Sequence, residues 1–249
     1  MRSVAIAFAF CALLPVAARA TVTEVEHVNK TATLPSGGTL RVNNFSGRVT
    51  ITGTDRADAS IDAVRRAPRR RLDRIKLDIH TEGTTLVINA NRHDDSWWFG
   101  RNGVVDTDLD IKVPRNTNLD VDVFSASVTV EGVEGTHKLH GFSSRLRLTD
   151  VTGPVRVHTF SGSVEVAARA WVPDQVIDVN TFSGNVALHL PETARGTVSF
   201  DSFSGRLNSD IPLTLRSTRR RSVRAELGSS PAGGTLRLKT FSGSVKIDR

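Results

Sequence analysis

The chain has no tyrosine, one cysteine and one methionine in 249 residues, and only 6% of it is aromatic. A single cysteine cannot form an internal disulfide, and it excludes zinc sites built on several thiolates. Long apolar runs are also missing. The longest, Val4 to Leu14, covers eleven residues, too short to span a bilayer as a stable helix. What is present is ordinary for a globular chain: 39% hydrophobic residues, 24% charged residues and a formal net charge of +7. Those values argue against wholesale disorder. The length suits one large domain or two small ones.

Residues 1–20 read as an export signal. Arg2 gives a positive start, the apolar run follows, and Ala18-Arg19-Ala20 is a small-x-small cleavage site. Cys11 lies inside this segment behind the bulky Phe10, which is unsuited to a lipoprotein signal. Cleavage after Ala20 leaves a thiol-free mature chain of 229 residues with a net charge of +5. The expected destination is the periplasm or cell surface of a bacterium.

The decisive pattern is a repeat. Phe45, Phe124, Phe142, Phe160, Phe182, Phe203 and Phe241 are each followed by Ser and then by Gly, Ala or Ser. Their spacings are 79, 18, 18, 22, 21 and 38, so 38 is near two periods and 79 near four. Aligned on the Ser, apolar columns appear four and six residues before it and three and five after it. Val121, Leu119, Val128 and Val130 are one copy of that set. Apolar residues at every second place mark a strand with one buried face. The parity breaks across Phe-Ser-Gly, so the chain must bend there, and glycine permits it.

A strand pair of this size cannot bury its own apolar face. Stacking each unit on the next does so. The expected fold is an all-β, single-domain parallel β-solenoid with repeats of about 18–22 residues. Phe would form an aromatic ladder at one corner, and Ser could pass hydrogen bonds between coils. At that repeat length the mature chain holds about eleven or twelve coils. A β-sandwich of the same strands is the alternative, and strict column identity at one period favours the solenoid. Residues 21–120 read as irregular capping coils. Residues 121–249 read as regular repeats, with an Arg-rich insertion near 210–233 and Phe241 to Arg249 closing the far end.

The copies from Phe124 to Val166 and from Asn180 to Val186, entered through Asp108-Leu109-Asp110-Ile111-Lys112-Val113-Pro114, resemble the DUF4097 family. Its members are exported bacterial β-strand-repeat proteins, often labelled adhesins on provisional grounds. The resemblance covers nearly all of the mature chain. The chain departs from the tidiest members in its Phe and its Arg-rich insertions. The resemblance implies a β-helical fold and an adhesive role, and it implies no catalytic residues.

Two basic windows interrupt the repeat. The first contains Arg65, Arg66, Arg69, Arg70, Arg71 and Arg74, with a short helix expected from Pro68. The second runs over residues 216–224 and contains Arg219, Arg220, Arg221 and Arg224. Outside them the mature chain carries a net charge of −5, so anion binding would be local to these windows. An anionic polysaccharide, lipopolysaccharide or another envelope protein is the kind of partner they suit. Nucleic acid is not favoured, because no aromatic residue is interleaved with the arginines. Solvated loops that keep the chain soluble are the plainer reading.

Trp97, Trp98 and Phe99 form an aromatic segment in a long loop, either a contact platform or a plug over the end of the core. Trp171 is expected to cover a side of the rod. His140 and His158 share an outward column and stack one coil apart, which could suggest a metal, but the column elsewhere holds Asn, Asp and Lys. His137 stands at a normally apolar place and reads as a partly buried histidine and not as a base. Asp106, Asp108, Asp110, Asp120 and Asp122 alternate along two strands. They lack the glycines of a calcium-binding turn. No nucleophile elbow, phosphate loop or HExxH is present, and no cofactor motif. The expected role is therefore non-enzymatic, adhesin-like binding or scaffolding in the envelope. The alternatives are a carbohydrate-active β-helix enzyme using Asp108, Asp110 and Asp122, or a purely structural envelope protein.

Overall fold

Strict alternation of side chains shapes each coil. In β7 (Asn118–Glu131), Leu119, Val121 and Val123 are buried, then Ala126, Val128 and Val130. Phe124 and Ser125 both face outward between the two sets. Two successive outward residues turn the strand, so its halves close on a shared core. Val133, in the turn that follows, is buried in the same core. The structure, a computed structural model, describes residues 23–93, 103–228, 230 and 232–249.

Successive coils stack in parallel and in register. β2 (Thr39–Thr54), β7, β8 (His137–Val151), β9 (Val155–Ala168) and β10 (Val176–His189) are single bent strands. Two further coils are split at the corner: β11 (Gly196–Ser202) with β12 (Arg206–Ser209), and β15 (Gly234–Ser242) with β16 (Ser244–Asp248). The inward column Val42, Val121, Leu139, Val157, Val179, Leu238 and Phe200 runs through paired residues. On the other half, Val49, Val128, Leu146, Val164, Val186, Val245 and Leu207 do the same. The columns read from the sequence are therefore the register of the sheets. The fold is the expected parallel β-solenoid.

Corner glycines are required by this stacking. Gly162 has φ +127°, and a Cβ there would lie 1.9 Å from the Ser144 carbonyl oxygen one coil away. A Cβ on Gly184 would meet the Gly162 carbonyl oxygen at the same 1.9 Å. The Ser column contributes less than expected. Ser204 Oγ donates to the Phe241 carbonyl at 3.5 Å, while Ser46 Oγ donates to Asp106 at 2.9 Å.

Coil order departs from chain order in two places. β2 pairs directly with β7, although Phe45 and Phe124 are 79 residues apart. The last coil, β15 and β16, lies between β10 and the coil of β11 and β12. Phe241 to Arg249 thus does not close the far end of the rod. The hairpin of β13 (Leu213–Arg219) and β14 (Ser222–Leu227) pairs with the outer side of β11. The returning chain is left with the free edges of β10 and the inner side of β11, whose unpaired amides and carbonyls it satisfies.

The segment 21–120 is more regular than expected at β2, which is a full coil. Next to it, β5 (Thr85–His93) pairs with the first half of β2, and β6 (Asp106–Pro114) with the second half. Together they make an eighth coil. Beyond it the chain turns antiparallel. β4 (Ile75–Glu82) covers β5, and β3 (Asp58–Ala67) with β1 (Glu24–Thr33) covers β6. These hairpins, with the one at the opposite end, consume the chain that would have made eleven or twelve coils. The helix foreseen at Pro68 is α1 (Arg69–Arg74), and the Pro68 carbonyl just before it accepts from the Arg71 amide at 2.7 Å. It covers a small second cluster of Ala67, Leu72, Ile75 and Val105. The Arg-rich insertion near 210–233 is not a loop but mainly the β13–β14 hairpin.

Candidate functional site

The bend at each corner points one phenylalanine into solvent, and the register stacks those rings. The order along the rod is Phe45, Phe124, Phe142, Phe160, Phe182, Phe241 and Phe203. Neighbouring centroids are 4.6–5.0 Å apart and the rings lie within 14° of parallel. This is the strand spacing imposed on an offset stack. Six such steps make a ridge roughly 29 Å long. The rings stay 39–51% exposed, which is unusual for seven large apolar side chains in one contiguous line.

A groove of about 840 Å³ follows the ridge from Phe124 to Phe203. One wall is the phenylalanine ladder. The other is the polar column two residues earlier, which holds His140, His158, Asn180 and Lys239. Between them lie Gly141 and the inward-turned side chains of Thr159, Thr181 and Thr240. The hydroxyls of Thr181 and Thr240 are buried without a hydrogen-bond partner. These small residues form the floor of the groove.

The two ends of the groove differ in charge. At one end stands Asp122. At the other, the Arg221 guanidinium lies 3.9 Å from the centroid of Phe203, a cation–π contact. Arg224 grips Asp201 with two hydrogen bonds of 3.1 Å. Partial burial raises the Asp201 carboxyl, but hydrogen bonds from Arg224 and Ser222 outweigh it and hold the group below its ordinary value.

The basic windows sit at opposite ends of the strand order, one on β3 and α1, the other on the β13–β14 hairpin. The structure does not bring them together. Arg65 is a correction to the expected anion site. It is buried, its guanidinium bonds to Glu26 and to the Ile75 carbonyl, and it anchors β1 and β4 to β3. It sits there because alternation along β3 points it inward, and its charge is unavailable to a ligand. Arg66 pairs with Asp108 at 2.6 Å, and Arg69 with Asp73 at 3.2 Å. Arg70, Arg71, Arg74, Arg219 and Arg220 are exposed. Trp97, Trp98 and Phe99 lie outside the described residues. Trp171 packs against the core and donates its Nε1 hydrogen to the Arg195 carbonyl at 2.6 Å.

The acids do not converge. Asp108 and Asp110 lie on β6, against the second half of β2, whereas Asp122 lies on the first half of β7. The bend separates them. Asp108 is further engaged by Arg66 and by the Arg48 amide at 2.9 Å. The rings of His140 and His158 are 5.3 Å apart. Among the described residues, no group of three His, Cys, Asp or Glu could hold a metal ion. His137 is fully buried, and desolvation pushes its imidazole down to about 4 despite the hydrogen bond to the Thr152 carbonyl.

These features define a parallel β-solenoid that carries an aromatic ridge beside a groove. The chain belongs to the Toastrack DUF4097 family, whose model matches residues 117–248. No curated protein matches it. Among solved structures, it is similar to a protein of Clostridium sporogenes provisionally described as a cell adhesion protein. The TM-score is 0.49 at 10% identity, over 90% of this chain and 99% of that one. A provisionally described adhesin of Bacteroides fragilis gives 0.40 at 10% identity, over 90% and 97%. A provisionally described lipid binding protein of Parabacteroides distasonis gives 0.35 at 11%, over 90% and 96%.

Proposed function

We propose that this is a non-enzymatic, exported binding protein of the bacterial envelope, adhesin-like in the sense of its family, with the phenylalanine ladder as its contact surface. The observation that carries the reading is the line of half-exposed rings. Exposed apolar patches of this size mark interaction sites, and a solenoid displays such a patch on a rigid frame. The separation of Asp108 and Asp110 from Asp122 favours binding over carbohydrate chemistry, which needs paired carboxyl groups across one bond. The signal-like residues 1–20 support export, and among the described residues no helix is long and apolar enough to cross a membrane.

The test uses the mature chain, fluorescently labelled, and isolated bacterial envelopes. The wild type should bind saturably. A triple variant, Phe142→Ser with Phe160→Ser and Phe182→Ser, should lose at least about tenfold in affinity. A variant with Arg219, Arg220, Arg70 and Arg71 changed to Ser should lose little. Undiminished binding of the ladder variant, with its fold verified by circular dichroism, overturns the reading.

A further inference from the structure

We propose that the groove holds a monomeric single-chain amphiphile, its acyl chain lying along the ladder and its anionic head between Lys239 and Arg221. The inference rests on the ladder being a binding surface and names what it binds.

Ring orientation decides the ligand class. Each internal ring has both faces covered by its neighbours in the stack. A sugar or a nucleobase stacks on ring faces, and only the two terminal rings retain one. The outer face of Phe203 is occupied by Arg221. What the ladder offers a ligand is a continuous line of ring edges, and a chain of methylenes contacts edges without needing a face. The shape agrees. From Phe124 to Phe203 the ridge covers five strand spacings, roughly 24 Å. One leaflet of a bilayer core is about 15 Å, so an extended acyl chain fits within the ladder. The groove's volume of about 840 Å³ falls in the range of small-ligand sites. The inward residues beneath it bear no charge.

Charge fixes the direction. Asp201 is already neutralised by Arg224. Lys239, which faces Asp201 from the neighbouring strand, and Arg221 line the same end, so with Arg224 three cations surround one carboxylate there. Asp122 lines the opposite end. A carboxylate or phosphate head is therefore attracted to the Phe203 end and repelled from the Phe124 end, leaving the tail to run toward Asp122.

The experiment is calorimetric titration of the mature chain with saturated fatty acids of 8–16 carbons, below their aggregation concentrations, and with the matching alkanols. Affinity should rise about twofold per methylene, the increment for a half-buried CH₂. The acid should bind more tightly than the alkanol. Arg221→Gln with Lys239→Gln should weaken the acid about tenfold and leave the alkanol unchanged. Asn180→Trp, which fills the groove from its half-buried rim and spares the core, should weaken both. Binding without length dependence overturns the proposal, as does an acid preference that survives loss of both cations. So does uptake only by sedimenting vesicles, or ladder-dependent dimerisation with no uptake of fatty acid. If envelopes still bind through the ladder while fatty acids do not, the acyl assignment alone falls. If the ladder variant binds envelopes as the wild type does, both readings fall.

Discussion

His137 makes the stability of the rod depend on pH in a calculable way. It sits between Leu119 and Val155 in the inward column of β7, β8 and β9. Its Nε2 hydrogen goes to the Thr152 carbonyl at 3.2 Å, and its Nδ1 is buried without a partner. Burial holds the folded pKa near 4, against 6.5 in the unfolded chain. The folded value is the lower one. The contribution is therefore complete above pH 6.5 and is lost as pH falls toward 4, because the unfolded chain takes the proton first. The whole loss is about 3 kcal/mol, of which about 2 kcal/mol is gone by pH 5. Replacing His137→Leu restores the residue type of the neighbouring coil. The Thr152 carbonyl keeps its bond from the Gly135 amide at 3.0 Å. The variant should match or exceed wild-type stability at pH 7.5. Urea unfolding of both proteins between pH 7.5 and 4.5 gives the difference directly, with the contributions of other groups cancelled. A difference that stays flat from pH 7.5 to 5 would refute the buried neutral imidazole.

Other substitutions test the packing. Gly184→Ala should cost at least about 2 kcal/mol, since the new methyl collides with a backbone carbonyl that cannot move without its whole coil; urea unfolding reads it. Thr181→Val and Thr240→Val should each stabilise by about 1 kcal/mol, because each removes a buried hydroxyl without a partner from a column where β7 already has Val123. A raised unfolding midpoint for both is the expected thermal result, and a fall for either would show that its hydroxyl is satisfied in solution.

Much of this architecture is written in the columns. Val121 and Val128 each name their partners in the next coil, because a slip of one residue would turn every apolar side chain outward. The ladder was equally legible. Phe142 stands two residues after the outward His140, so alternation places it on the same exposed face. The order of coils was not legible. Any coil offers the same columns to any other, so the columns alone do not say which two coils become neighbours. Charge was the most misleading signal. Arg65 reads as one of six basic residues in a window, yet it is held inside by Glu26 and the Ile75 carbonyl. The cation beside the groove, Arg221, was legible as charge, but its ring partner Phe203 is 18 residues away in sequence.

The placement of the last coil constrains how the molecule can be made. β10 and β11 are consecutive in the chain but are separated in the stack by strands that follow both of them in sequence. Growth from the amino terminus can extend an ordered rod only as far as β10. Residues 234–248 bridge the two sections, pairing with β10 on one side and with β11 and β12 on the other. Residues 234–248 thus act as a keystone, and a chain cut before Gly234 would leave two opposed sheet edges with nothing between them.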